Sequence, residues 1–392
     1  MLTQRQLFLL NTAQTSDSPK SLEITKAEGI YLYDITGKKF IDLVSGFAVS
    51  NVGHRHPKVV QAIKDQADKY LHLTVYGEYI QSPQVLFAEK LCSILPKSLN
   101  SVYFVNSGAE ATEGAMKLAK RFTGRVQIIS CINSYHGSTQ GALSLMGNEY
   151  YKQSFRPLLP GVRYIRYNIE KDIELINFET AAVFLETIQG EAGVIIPDYN
   201  YMQVLRKRCA ETGTLLVLDE IQTGFGRTGE LFGFEHYNII PDIILLAKGM
   251  GGGMPIGAFI ANKMVMDSLK ENPVLGHITT FGGHPVSCAA GLAALNVLLD
   301  NKLAKKVDTK EHLFRKYLTH PKIIEIRGKG LLLAIQLSSF TEVEEISKTC
   351  LEKGLIIDWF LHNDTSLRIA PPLTITPDQI KEACAIILNA LK

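Results

Sequence analysis

The sequence predicts an α/β fold: a large domain on a mostly parallel sheet, joined to a smaller α+β domain. Three observations carry this. Short runs that are apolar throughout recur through the middle of the chain, helix-length segments separate several of them, and residues 300–392 switch to longer helical patterns around brief strands. The runs are 102–105, 126–130, 181–185, 215–218, 243–247 and 256–260. A strand apolar at every position is buried on both faces, as in a parallel sheet covered by helices. Residues 201–211 are one intervening helix; alternation of this kind makes parallel sheets.

In the last part of the chain, helices are expected at 302–318, 343–353 and 377–391, with strands at 331–336 and 355–358. Near the start, strands at 30–33 and 40–43 flank a Thr36-Gly37 turn, a hairpin signal.

Length and composition agree. At 392 residues, 46% hydrophobic and 20% charged, the chain is long enough for about two domains with a sizeable core. Lysine and arginine number 41 against 39 acidic residues, a net charge of +2 that argues against a partner bound through a phosphate backbone. The triplet Arg206, Lys207 and Arg208 reads as a solvated helix face. The six cysteines form no C-x-x-C pair and no zinc-ligand spacing. His54 and His56 lack a carboxylate cluster, so no metal is expected. No apolar stretch reaches about 18 residues, and residues 1–14 lack the pattern of a secretory signal. The expectation is a cytoplasmic protein without a membrane span.

Three segments carry chemistry. In the first, a strand ends at Asn106, and Ser107, Gly108 and Ala109 open a helix with Ala111, Ala115, Leu118, Ala119 and Phe122 on one face. Free N–H groups, small residues and a hydroxyl there suit a phosphate, although an ordinary serine N-cap has the same composition. In the second, Asp219 and Glu220 end a strand, at the sheet edge where open α/β folds bind ligands. A buried carboxylate needs a cationic partner, and a pyridinium nitrogen is one. In the third, Lys248 follows an apolar strand and precedes Gly249, Gly251, Gly252 and Gly253. Desolvation there favours a neutral, nucleophilic amine; a snorkelling lysine before a turn is the plainer reading.

Taken together, a phosphate loop, a strand-end aspartate and a strand-end lysine 29 residues later resemble the fold-type-I pyridoxal-phosphate (PLP) enzymes. The motifs Asn106-Ser-Gly-Ala-Glu-Ala, Tyr135-His-Gly, Glu186 with Gly190-Glu191, Asp219-Glu-Ile-Gln-Thr-Gly, Lys248 and Thr280-Phe-Gly-Gly-His-Pro look like those of class III aminotransferases. Gly53-His-x-His-Pro and Leu367-Arg-Ile-Ala-Pro-Pro-Leu extend the resemblance over the whole chain, which is nearest the acetylornithine and ornithine aminotransferase branch.

The resemblance implies PLP as cofactor and Lys248 as the Schiff-base lysine and proton carrier. It implies Asp219 at the ring nitrogen, and Ser107, Gly108 and Ala109 around the phosphate. Tyr135 would stack on the ring beside His136, and Gln222 would reach the phenolic oxygen. Thr280 would reach the phosphate of a neighbouring subunit, making a homodimer part of the site. Arg368 would bind the α-carboxylate of glutamate or 2-oxoglutarate, and Glu191 would cover it when a terminal amine enters. Glu186 and Phe47 would help shape the substrate pocket. The implied division is 1–48 packing with the small domain, 49–298 as the large PLP-binding domain and 299–392 as the small domain.

One departure bears on the substrate. The related enzymes carry a carboxylate-binding arginine after the His-Gly dipeptide, and here Ser138 follows Gly137. Lys152, Arg156 and Arg163 are candidate replacements for its charge. The activity implied is transfer of an amino group from a terminal-amine donor, of the ornithine or N-acylornithine type, to 2-oxoglutarate. Alternatives are 4-aminobutyrate, lysine or a diamine as donor, or a PLP aminomutase; a catalytically dead scaffold has no need of both Lys248 and Asp219.

Overall fold

The computed structural model describes residues 2–392. Among the described residues, fifteen strands form three sheets. The first strands are β1 (Ile24–Glu28), β2 (Tyr31–Asp34) and β3 (Lys39–Asp42). The central group is β4 (Ser101–Val105), β5 (Gln127–Cys131), β6 (Val162–Ile165), β7 (Thr180–Glu186), β8 (Leu215–Asp219), β9 (Ile243–Leu246) and β10 (Gly257–Ala261). The last are β11 (Glu325–Lys329), β12 (Leu332–Gln336), β13 (Leu355–Ile356), β14 (Asp358–Trp359) and β15 (Ser366–Ile369).

The central sheet runs β4-β10-β9-β8-β7-β5-β6. All its neighbours pair in parallel except β10, which is antiparallel to both β4 and β9. Every residue of β7, β8, β9 and β10 is buried, the expected consequence of their unbroken apolar runs. The edge strand β6 was not expected. Its burial is mixed, with Arg163 and part of its other face in solvent, so it lacks the all-apolar signature. Because β10 alone is reversed, β4, β7, β8 and β9 end on one edge. That edge gathers Asn106, Glu186, Asp219 and Lys248.

The helix Gly108–Thr123 follows β4, capped by Ser107 at its start and by left-handed Gly124 at its end. It buries Ala111, Ala115, Leu118 and Ala119 against the sheet; Phe122, expected on the same face, lies exposed at the last turn. The helix expected at 201–211 runs Tyr199–Thr212.

The expected hairpin forms as β2 and β3, with β1 added outside. Its sheet closes with β13, where Ile41 pairs in parallel with Leu355. The other sheet runs β11-β12-β15-β14. The single strand expected at 355–358 is therefore two short strands in different sheets, separated at Ile357. Helices Val307–Tyr317, Phe340–Glu352 and Pro377–Ala390 pack in this region. One continuous apolar cluster extends from Ile41 and Leu43 through Met250 and Ala294 to Leu333 and Ile369.

Candidate active site

A cavity of about 460 Å³ opens at the shared strand edge, lined by Ser107, Gly108, Ala109, Tyr135, Gln222 and Lys248 among others. Ser107 caps its helix by accepting from the Glu110 N–H at 3.2 Å. Glu110 turns back and accepts from the Asn106 N–H and Nδ2 at 2.9 and 2.8 Å, so its charge is engaged within the loop. Gly108 lies close under Ile221, where a Cβ would meet Cδ1 at 2.7 Å and push that side chain aside. The result is an open helix start in which small residues expose backbone N–H groups, a geometry that suits a phosphate.

Asp219 sits at the end of β8 with two partners. Its Oδ1 accepts from the Ile221 N–H at 2.9 Å, and its Oδ2 lies 2.7 Å from His136 Nδ1. Burial would depress the His136 pKa, but the Asp219 hydrogen bond and charge outweigh it and raise it. Sequence reasoning put His136 beside the ring; the geometry makes it the partner that orients Asp219. Glu186, one strand over and in register with Asp219, accepts from the Tyr135 and Gly190 N–H groups at 3.0 and 2.9 Å. Burial pushes its carboxyl up to about 7, with the Asp219 charge adding to the rise and His136 opposing it.

Lys248 leaves β9 with a positive φ of 46°, a conformation that is strained for a lysine. Its ammonium has no hydrogen-bond partner among the described residues. Desolvation lowers its pKa, assisted by the Arg368 charge and opposed by Glu191. The side chain also lines a second chamber of about 490 Å³, together with Phe47, Glu191, Asp358, Trp359 and Arg368. Tyr135, Glu191 and Lys248 are common to both cavities, so the lysine stands at their junction.

In the second chamber Arg368, 1% exposed on β15, makes a two-pronged pair with Glu191 at 2.8 and 2.7 Å. Its Nη2 also donates to the Trp359 carbonyl at 3.1 Å, and the guanidinium lies against the Phe360 and Phe47 rings. Burial would push the Glu191 carboxyl up, but the Arg368 charge and hydrogen bonds outweigh it and hold it at about 2. Phe47 rides on a run of left-handed residues, Ser45 to Ala48. Asp42 holds that run by accepting from the Val44 and Ser45 N–H groups at 2.8 Å. His54 backs Asp42 at 2.8 Å, and His56 caps the helix that follows, which gives both histidines of the Gly53 motif a structural task.

Ser138 lines the first cavity, 3.2 Å from the Tyr135 hydroxyl. None of the three candidate replacement cations reaches either cavity. Lys152 is buried against the Met146 carbonyl and the Tyr164 hydroxyl. Arg156 pairs with Glu149, and Arg163 points to solvent from β6. Thr280 is exposed and outside both cavities, whereas its neighbour Thr279 accepts from Asn106 Nδ2 at 3.0 Å. Sequence reasoning missed Asp358 and Trp359, which carry no motif and reach the chamber only through the β14–β15 pairing.

Pyridoxal phosphate fits these residues on structural grounds. An open helix start faces the cavity, an amine without a partner stands across from it, and the buried Gln222 Nε2 lacks a hydrogen-bond partner. The family model for aminotransferase class III matches residues 12–391. The chain belongs to the class III aminotransferases. It is a PLP-dependent transaminase of fold type I. It is 40% identical to the acetylornithine aminotransferase of Caldanaerobacter subterraneus subsp. tengcongensis, over 100% of this chain and 99% of the relative. The acetylornithine aminotransferase of Methanocaldococcus jannaschii is 39% identical over 94% of this chain and 92% of its own. Among solved structures, ornithine aminotransferase from Toxoplasma gondii, described with partial occupancy of PLP, superposes with a TM-score of 0.91 at 31% identity, covering 99% of this chain and 94% of that one.

Proposed function

We propose that this class III aminotransferase is an ω-aminotransferase. It takes an amino group from a terminal-amine donor of the ornithine or N-acylornithine type and passes it to 2-oxoglutarate in a ping-pong cycle. The observation that carries the reading is the position of Lys248, at the junction of a phosphate-suited cavity and a chamber walled by the Glu191–Arg368 pair.

When bound, pyridoxal phosphate supplies an electron sink for the pair released as the donor carbon loses its proton. The chain's residues do the rest. Lys248 would hold the cofactor, then carry the proton, since desolvation lowers the amine's pKa and so favours its neutral, proton-accepting form. Asp219, oriented by His136, would supply negative charge for the ring nitrogen. Ser107, Gly108 and Ala109 would hold the phosphate, Tyr135 would cover the ring, and Gln222, whose Nε2 is free, would donate to the phenolic oxygen. Arg368 grips the α-carboxylate of 2-oxoglutarate once Glu191 yields, and Glu191 masks it while a terminal amine reacts. Phe47, Glu186 and Ser138 shape the space around the donor.

The further reading is a cytoplasmic homodimer with shared active sites and the division 1–48, 49–298 and 299–392. Thr280 on the surface beside exposed Phe281 supports a subunit contact, as does Ile80, 96% exposed. Six free cysteines support a reducing compartment, and among the described residues no helix is long and apolar enough to cross a membrane.

Single-turnover absorbance of the PLP-loaded protein tests the reading. Glutamate and at least one of ornithine and N-acetylornithine are expected to change the cofactor spectrum. A spectrum that responds to glutamate and to no terminal amine would refute the donor class.

A further inference from the structure

We infer that Asp358 determines donor specificity, selecting terminal amines that carry a second free ammonium over N-acylated donors and over ω-amino acids. The inference rests on the ω-aminotransferase reading above and narrows its donor class.

The charged groups lining the donor chamber are Lys248, Glu191, Arg368 and Asp358. Lys248 is at the reacting end, and Arg368 and Glu191 neutralise each other through two short hydrogen bonds. Asp358 is the charge that remains. It pairs directly across from Arg368 on adjacent strands, and directly opposed residues point to the same sheet face. Its Oδ1 accepts from the Trp359 N–H at 2.8 Å. Its Oδ2 has only Lys20 Nζ at 3.8 Å, beyond hydrogen-bond reach. That lysine donates its hydrogen bond to the Ile357 carbonyl at 3.1 Å, so it offsets the Asp358 charge from 3.8 Å while leaving Oδ2 free to accept. The Asp358 side chain is 22% exposed, so water screens it only in part.

A donor with its reacting amine at Lys248 therefore runs its methylene stem past Phe47, Trp359 and Leu361 toward a carboxylate with an open acceptor. A second ammonium at the far end meets opposite charge. A carboxylate there meets like charge and no uncommitted cation in the chamber lining, because Lys20 pairs with Asp358 from outside that lining, Ser138 offers only a hydroxyl, and Lys152 and Arg156 are engaged elsewhere. Acylation of the second amine removes the charge that Asp358 would read.

Two matched donor pairs isolate the effect: ornithine against N-acetylornithine, and 1,4-diaminobutane against 4-aminobutyrate, each with 2-oxoglutarate and the PLP-loaded protein. The wild type is expected to favour the first member of each pair in kcat/KM by about tenfold or more, as for one hydrogen bond to a charged group. Asp358→Asn should bring both ratios toward one, and Asp358→Lys should invert the second. A ratio compares two donors on the same protein, so partial misfolding does not move it. A wild type that prefers N-acetylornithine or 4-aminobutyrate overturns the inference, as do ratios that survive both substitutions. Turnover of terminal amines with unmoved ratios overturns this inference alone. Response to glutamate with no terminal amine reacting overturns the donor reading with it.

Discussion

Glu191→Gln separates the two half-reactions. In the resting site Arg368 spends both Nη groups on Glu191, so an incoming dicarboxylate must displace that carboxylate before it can bind. Glutamine keeps the shape and one acceptor but loses the charge and one prong. A charge-assisted bond of this kind is worth about 1.5–3 kcal/mol. Relieved of that competitor, 2-oxoglutarate should bind with a KM lower by about 10- to 150-fold. The guanidinium stays in place, held by the Trp359 carbonyl and the Phe360 and Phe47 rings. Unmasked, it repels an ammonium, so kcat/KM for ornithine should fall. The chain should also lose stability, by up to about 3 kcal/mol, because a buried cation is left under-compensated. Stopped-flow absorbance of each half-reaction, with a thermal melt of the same sample, reads all three effects. A folded Glu191→Gln protein whose KM for 2-oxoglutarate is unchanged or higher would refute the masking role.

The pH dependence of stability gives two opposite signs. Glu191 is held at about 2, so its contribution is present above about 4.5 and lost as pH falls through 2. Glu186 is raised to about 7, so its contribution is full below about 4.5 and declines by up to about 3 kcal/mol as pH rises to 7. The melting temperature of Glu186→Gln relative to wild type should accordingly climb between pH 5 and 8; a flat difference would argue against a raised carboxyl. Gly137→Ala should weaken cofactor retention and stability together. Gly137 has φ +126°, and a Cβ there would stand 2.6 Å from Ala109 Cβ and 2.8 Å from its Cα in the phosphate loop. A loss of about 1–3 kcal/mol is expected, read by melting and by PLP lost on dialysis; an alanine variant with wild-type retention would show that the loop tolerates the shift.

Much of the fold was legible because the central strands are buried on both faces, which leaves unbroken apolar runs such as 215–218 and 243–247. The edge strand β6 was not, since of its four residues only Ile165 is fully buried and Arg163 is exposed. Segment 355–358 misled for a topological reason. It looks like one strand, yet the chain passes between two sheets at Ile357, which local periodicity cannot register. The cofactor side of the site was readable because Ser107, Asp219 and Lys248 each end an element in a distinctive local pattern. The donor side was less so. Glu191 and Arg368 are far apart in sequence and were linked by family resemblance, while Asp358 is an ordinary acid until β14 sets it opposite Arg368.

The parallel pairing of Ile41 with Leu355 joins segments more than 300 residues apart. On the ribosome the first of them is made early and waits for its partner, an interval on the order of tens of seconds at ordinary synthesis rates. The central sheet, whose strands all lie between, is complete well before that. Phe47 on one side and Arg368 on the other are brought together only once the late strand arrives. A nascent chain can thus acquire the surface that suits the cofactor before it acquires discrimination among amines, and the order of synthesis itself makes selectivity the last property to mature.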